Sequence, residues 1–154
     1  GKSIVIRAGW MMGGGPARDK KFVGKIIEQL RGGISELTLV NDKFGSPSYT
    51  YDLAKIIDYL LEHRHYGVYH GTCSGSGSRY DVGQFILECL GLKDKVRAIS
   101  VNSDYFSKNY FTLRPASERL NNDKLKAINS ELMRDWRKCL KEYLEKFDWG
   151  IKNA

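Results

Sequence analysis

The chain has 154 residues, of which 42% are hydrophobic, 28% charged and 12% aromatic, with 3 prolines; that length and balance describe one ordinary domain with a buried core and exclude a peptide, a disordered tail or a low-complexity segment. No apolar run approaches the roughly 20 residues of a membrane-spanning helix, and the apolar stretch at 4–6 is too short for a secretory signal, so no membrane partner and a cytoplasmic location are expected. The net charge of +7 favours anionic partners, and its distribution is uneven: residues 1–35 carry seven basic and two acidic groups, 36–92 four and seven, and 93–154 fourteen and nine.

In chain order, the β-branched run at 3–9 reads as a buried strand ending in glycine. Apolar positions 22, 23, 26, 27 and 30 then predict a helix stopped by Gly32-Gly33. Residues 37–40 read as a second strand, after which Thr50 is placed to cap a helix with apolar positions 53, 56, 57, 60 and 61. A short third strand at 67–70 follows. Ser78 with Asp81 forms a helix-capping pair, and Val82, Phe85, Ile86, Cys89 and Leu90 stripe a helix that ends at Gly91. A fourth strand at 96–101 and a short helix from Asn121 precede the clearest helix, in which Leu132, Met133, Trp136, Cys139, Leu140, Tyr143, Leu144 and Phe147 recur at three and four. Strands alternating with helices predict an α/β fold with parallel strands. A strand at the very first residues is expected to lie inside a larger sheet, because parallel strands are buried on both faces; the pattern suits a piece of a longer chain.

Several constellations invite chemistry and then lose it. Gly13-Gly14-Gly15 and Gly75-Ser76-Gly77 each follow a strand, but neither completes G-x-G-x-x-G; Tyr80 stands where a third glycine would pack helix on strand. Tyr51 and Lys55 make a Tyr-x-x-x-Lys pair, a spacing that almost any helix bearing both residues shows, so a solvated helix face is the expectation. His63, His65 and His70 lack carboxylates at metal-binding spacing and read as a helix terminus, with no metal. Cys73, Cys89 and Cys139 are odd in number and contain no C-x-x-C, which fits a reducing compartment rather than a disulfide framework or a zinc knuckle.

Three stretches in order carry a resemblance: Arg7-Ala-Gly-Trp10, residues 40–54 (Val-Asn-Asp-Lys-Phe-Gly-Ser-Pro-Ser-Tyr-Thr-Tyr-Asp-Leu-Ala), and Arg114-Pro-Ala-Ser-Glu-Arg-Leu-Asn121. Gly67-Val-Tyr-His70 and Met133-Arg-Asp-Trp136 fall at compatible spacing. Together they resemble the dTDP-4-dehydrorhamnose reductase family, extended short-chain dehydrogenases acting on nucleotide sugars, and the match covers nearly the whole chain. Such proteins begin with a Rossmann segment carrying G-x-x-G-x-x-G for NADP(H), followed by a catalytic Tyr-x-x-x-Lys. The resemblance therefore implies that residues 1–154 are the nucleotide-sugar-binding carboxy-terminal domain of an extended short-chain dehydrogenase. The amino-terminal Rossmann half is absent from this chain, no catalytic residue lies within it, and no cofactor binds it alone; NADP or NAD belongs to the intact protein.

By the same resemblance, Trp10 packs against the sugar, since an indole covers the apolar face of a pyranose; a core tryptophan is the bland alternative. Arg114 suits bidentate contact with the nucleotide diphosphate, and Arg119 is either a second contact or a structural ion-pair donor. Lys20, Lys21 and Phe22 stand at a loop-to-helix start that could hold an anion, although relatives often carry asparagine where Lys21 stands. Phe44-Gly45-Ser46-Pro47 would line the cleft, with Phe44 over the base, or form a plain turn. Ser117, Glu118 and the triple glycine depart from the usual pattern and point to a subfamily.

The resemblance thus implies the substrate-binding portion of an NADP(H)-dependent 4-keto-sugar nucleotide reductase of the dTDP-rhamnose type, with a dTDP-sugar-like ligand and the Rossmann half as partners. The alternative is a non-catalytic regulatory or sugar-nucleotide-binding relative. A homodimer through the exposed first strand is a further expectation. Nucleic acid is not an expected partner, because the basic residues spread over helix faces with no recognised binding module.

Overall fold

The computed structural model describes residues 2–107 and 115–151. In chain order the elements are β1 (Ile4–Arg7), β2 (Trp10–Met12), α1 (Gly15–Arg18), α2 (Phe22–Arg31), β3 (Glu36–Val40), β4 (Phe44–Gly45), β5 (Pro47–Tyr49), α3 (Thr50–Glu62), β6 (Gly67–His70), β7 (Gly77–Ser78), α4 (Arg79–Cys89), β8 (Arg97–Val101), β9 (Ser117–Glu118), α5 (Asp123–Ile128) and α6 (Trp136–Glu145), with 3₁₀ turns at Ser103–Phe106 and Ser130–Leu132. Strands pair in parallel as β1 with β6, β2 with β5 and β3 with β8. A small three-stranded sheet places β4 between β7, antiparallel to it, and β9, parallel to it. The α/β expectation holds, with β4–β7 its one antiparallel pairing among the described residues.

Two apolar cores result. The larger is built from α2, α4 and α6 against β3 and the ends of β2 and β5, and contains Ile26, Leu39, Ile86, Trp136, Leu140 and Tyr143. The smaller sits between β1–β6 and α3 with α5, around Ile56, Leu60, Tyr69 and Leu125. On the outer face of β1–β6 the paired Val5 and Val68 are 50% and 45% exposed. Ile57 and Leu61, counted in the sequence as core positions of α3, also face outward. No helix among the described residues is long and apolar enough to cross a membrane.

Several local expectations hold and two need correction. Ser78 and Asp81 form a reciprocal capping box at the start of α4: the Ser78 hydroxyl accepts from the Asp81 N–H, and the Asp81 carboxylate accepts from the Ser78 N–H. Thr50, expected to cap α3, is instead its first helical residue, and Tyr49 precedes it with no side-chain cap. The final helix starts only at Trp136. Asp135 caps it by accepting from the Arg137 N–H at 2.8 Å, while Leu132 and Met133 leave the helix to pack against the smaller core. The apolar period runs through a break because both sides of it are buried, in different cores.

Candidate functional site

The sequence places Trp10 after the first strand, and the structure shows why it stays there. Its N–H donates to the Ser46 carbonyl at 3.0 Å, where β2 meets the segment between β4 and β5. The indole packs against Gly45: a Cβ at that position would come within 2.2 Å of the ring, so only glycine admits this approach. The indole Nε1 donates to Glu118 Oε2 at 2.7 Å, tying β2 to β9. The Arg79 guanidinium stands 4.1 Å from the Trp10 ring centre and 4.5 Å from that of Phe22, a cation between two aromatic faces. Arg119 stacks on Phe44 at 5.1 Å and its Nε donates to the Ser117 hydroxyl at 3.0 Å.

Of the residues singled out in the sequence, Trp10, Phe22, Phe44, Gly45 and Arg119 are thereby linked around the three short strands β7, β4 and β9. Arg119 has no carboxylate ion pair among the described residues; its partners are an aromatic face and a hydroxyl. Ser46 is buried, with its hydroxyl accepting the Leu120 N–H at 3.2 Å. Lys21 precedes α2 with its side chain exposed, while its backbone N–H donates to Asp19 Oδ1 at 2.9 Å. Arg114 lies outside the described residues. Sequence reasoning missed Arg79; its only signal was a cation as the first residue of α4, an end of a helix that does not favour positive charge.

The other constellations resolve structurally. Gly13, Gly14 and Gly15 all have positive φ, and they bring the backbone against Thr50, Arg18 and Phe147 rather than forming an open cradle; the Gly15 N–H donates to the Tyr143 hydroxyl. Gly75 and Gly77 press on Trp136. Tyr51 is exposed, with Lys55 and Lys146 over its ring at 4.4 and 4.9 Å. His63 and His65 stack with Tyr59 at the end of α3, and His70 Nδ1 lies 2.7 Å from the Asn121 carbonyl.

A polar cluster supports α6 beneath β5. The Arg134 guanidinium forks onto the buried Asp52 carboxylate at 3.0 and 2.7 Å and also reaches Glu142; these hydrogen bonds hold its pKa above the ordinary arginine value. The Cys139 thiol donates to Asp52 Oδ2 at 3.1 Å. Tyr143 donates to Asp19 Oδ2 at 2.9 Å, and burial, then that carboxylate, push its phenol up.

The fold is that of the Rossmann-type extended short-chain dehydrogenases, and this chain carries within it the aromatic and cationic cluster just described. The chain belongs to the RmlD substrate binding domain family, whose model matches residues 1–149. It is 33% identical over 143 residues to the spore coat polysaccharide biosynthesis protein SpsK of Bacillus subtilis, covering 93% of this chain and 47% of that protein. Among solved structures, dTDP-4-dehydrorhamnose reductase from Yersinia enterocolitica is 34% identical with a TM-score of 0.85, over 94% of this chain and 50% of that one. The dTDP-4-dehydrorhamnose reductase from Bacillus anthracis, solved in complex with NADP, is 25% identical with a TM-score of 0.81, over 94% and 48%. The chain therefore spans about half the length of the relatives it matches.

Proposed function

We propose that this chain is the nucleotide-sugar-binding half of an NADP(H)-dependent reductase that converts a 4-keto sugar of the dTDP type to its alcohol. The observation that carries the reading is the cluster of Trp10, Phe22, Phe44, Arg79 and Arg119, linked across β2, α2, β4, α4 and the residue after β9, in a chain matched over 1–149 by a substrate-binding family. Aromatic faces suit the apolar side of a pyranose and the plane of a base, while guanidinium and ammonium groups suit a diphosphate. In this proposal Trp10 packs on the sugar and Phe44 on the base. Lys21, Arg114 and Arg119 meet the diphosphate, Phe22 steadies Arg79, and Gly45 and Ser46 hold the floor.

A dinucleotide held by a Rossmann half of the same protein would supply the hydride, and a Tyr-x-x-x-Lys pair there would supply the proton. This chain orients the sugar, shields it from water and keeps the diphosphate fixed. The outward Val5 and Val68 on the two-stranded β1–β6 ribbon support a face that the other half covers, since parallel strands are normally covered on both faces. A sugar-nucleotide substrate fits a cytoplasmic setting.

The test is turnover by the complete gene product: NADPH oxidation dependent on a dTDP-4-keto-6-deoxy sugar, lost on Trp10→Ala with NADPH binding unchanged. Turnover that is unaffected by Trp10→Ala, or absent with every 4-keto sugar nucleotide, overturns the proposal.

A further inference from the structure

We infer that Cys73 and Cys139 form a reversible disulfide when the folded protein meets a hydroperoxide. Two residues 66 positions apart in sequence, one in the loop after β6 and one in α6, bring their sulfurs together with the Asp52 carboxylate, all three ligand atoms lying within 4.8 Å of one another. Both cysteines are free. Their backbones are fixed relative to each other by a short parallel bridge between Ser74 and Asp135, in which the Ser74 N–H donates to the Arg134 carbonyl at 2.9 Å and the Trp136 N–H to the Ser74 carbonyl at 3.1 Å. Sulfur–sulfur bonding then requires the two thiols to close to about 2.05 Å.

The same three side chains could be read as a soft-metal site. The Arg134 fork argues against it: a guanidinium already sits on both Asp52 oxygens, so a cation there would face a fixed positive charge at close range.

The two thiols are unequal, as an attacking and a resolving cysteine should be. The adjacent Cys139 holds the Cys73 thiol below its ordinary pKa; Cys139 is pushed up, by its contact with Cys73 first and by burial second. Cys73 also has a route to solvent. It lines a surface cavity of about 280 Å³ together with Ser74, Gly75, Asn121, Asn122 and Lys126, whereas Cys139 is fully enclosed. A small peroxide entering this cavity reaches the wall that contains Cys73, itself 4% exposed.

The chemistry balances in two steps. The Cys73 thiolate attacks one peroxide oxygen, the O–O bond breaks, and the departing oxygen takes up the thiol proton as water or alcohol, leaving a sulfenic acid. The Cys139 sulfur then attacks the sulfenic sulfur; the S–S bond forms, the S–O bond breaks, and water leaves with the Cys139 proton. The peroxide is reduced and the two thiols are oxidised. The product staples the loop that leads to Gly77, Ser78 and Arg79 onto α6.

The test exposes the native protein to hydrogen peroxide with a chelator present, quenches by alkylation under denaturing conditions, and maps the peptides. The expected result is a linked peptide joining Cys73 and Cys139, an intact mass lower by two hydrogens, and Cys89 left alkylatable, all reversed by a dithiol. In Cys139→Ser, a dimedone adduct should accumulate on Cys73. Cys73 and Cys139 still fully alkylatable once Cys89 has oxidised, or Cys89 as the partner in every linked peptide, overturns the inference. The wild-type map decides even if a variant fails to fold.

Discussion

Replacing Arg134 by methionine removes a guanidinium that spans two elements while keeping most of its apolar length. Asp52 then keeps the Cys139 thiol as its hydrogen-bond partner, in a position where its side chain is 9% exposed. Breaking a buried pair from one side costs about 3–5 kcal/mol, because the remaining charge is stranded without its partner. The Arg134 side chain is itself 33% exposed, so solvent weakens the native pair and the expected loss falls to about 2–4 kcal/mol. At about 2–4 °C per kcal/mol for a chain of this size, thermal unfolding should drop by roughly 4–16 °C. The assay is urea unfolding of wild type, Arg134→Met, Asp52→Asn and the double variant. The double variant should be more stable than Arg134→Met, with a coupling energy of about 1–3 kcal/mol. Additive single-variant losses, or a loss below about 1 kcal/mol for Arg134→Met, would show that the cluster does not hold α6 to α3.

Gly45→Ala should cost about 1–3 kcal/mol, because its Cβ would enter the indole of Trp10 at 2.2 Å, and the tryptophan fluorescence should shift as the ring is displaced. Stability close to wild type with an unchanged spectrum would mean that the ring does not lie on Gly45. Tyr143→Phe should lose about 1–3 kcal/mol at neutral pH by leaving the Asp19 carboxylate and the Gly15 N–H without their hydroxyl partner. The pH dependence has a definite sign. The folded phenol of Tyr143 sits above its unfolded value near 10, so its stabilisation is complete below about pH 10. It is lost as pH rises further and the unfolded chain ionises first. Wild type should therefore weaken steeply in strong alkali, with Tyr143→Phe flatter there; parallel curves would refute that assignment.

Much of the fold is legible where local signals and burial agree. The Ser78–Asp81 pair predicts a cap and forms one, and the strand at 67–70 is found at Gly67–His70. The short strands β2, β4, β5, β7 and β9 are two or three residues long and have no period to detect; their pairings are long-range. They nonetheless build the candidate site. Trp10, Phe22, Phe44 and Arg119 are found through resemblance, whereas Arg79 enters only when α4 is seen to point its first residue between two rings. The Asp52–Arg134 fork joins residues 82 apart, a separation at which sequence spacing carries no signal.

The most direct measurement is calorimetric titration of this chain with a dTDP-sugar, with dTDP alone, and with NADPH, repeated on Trp10→Ala and on Lys21→Ala with Arg119→Ala. The account predicts that dTDP-sugar binds and NADPH does not, that Trp10→Ala weakens the sugar nucleotide more than dTDP, and that the double variant weakens both. Equal binding of a dTDP-sugar by wild type and all variants, or tight binding of NADPH by this chain, would contradict a nucleotide-sugar site at this cluster.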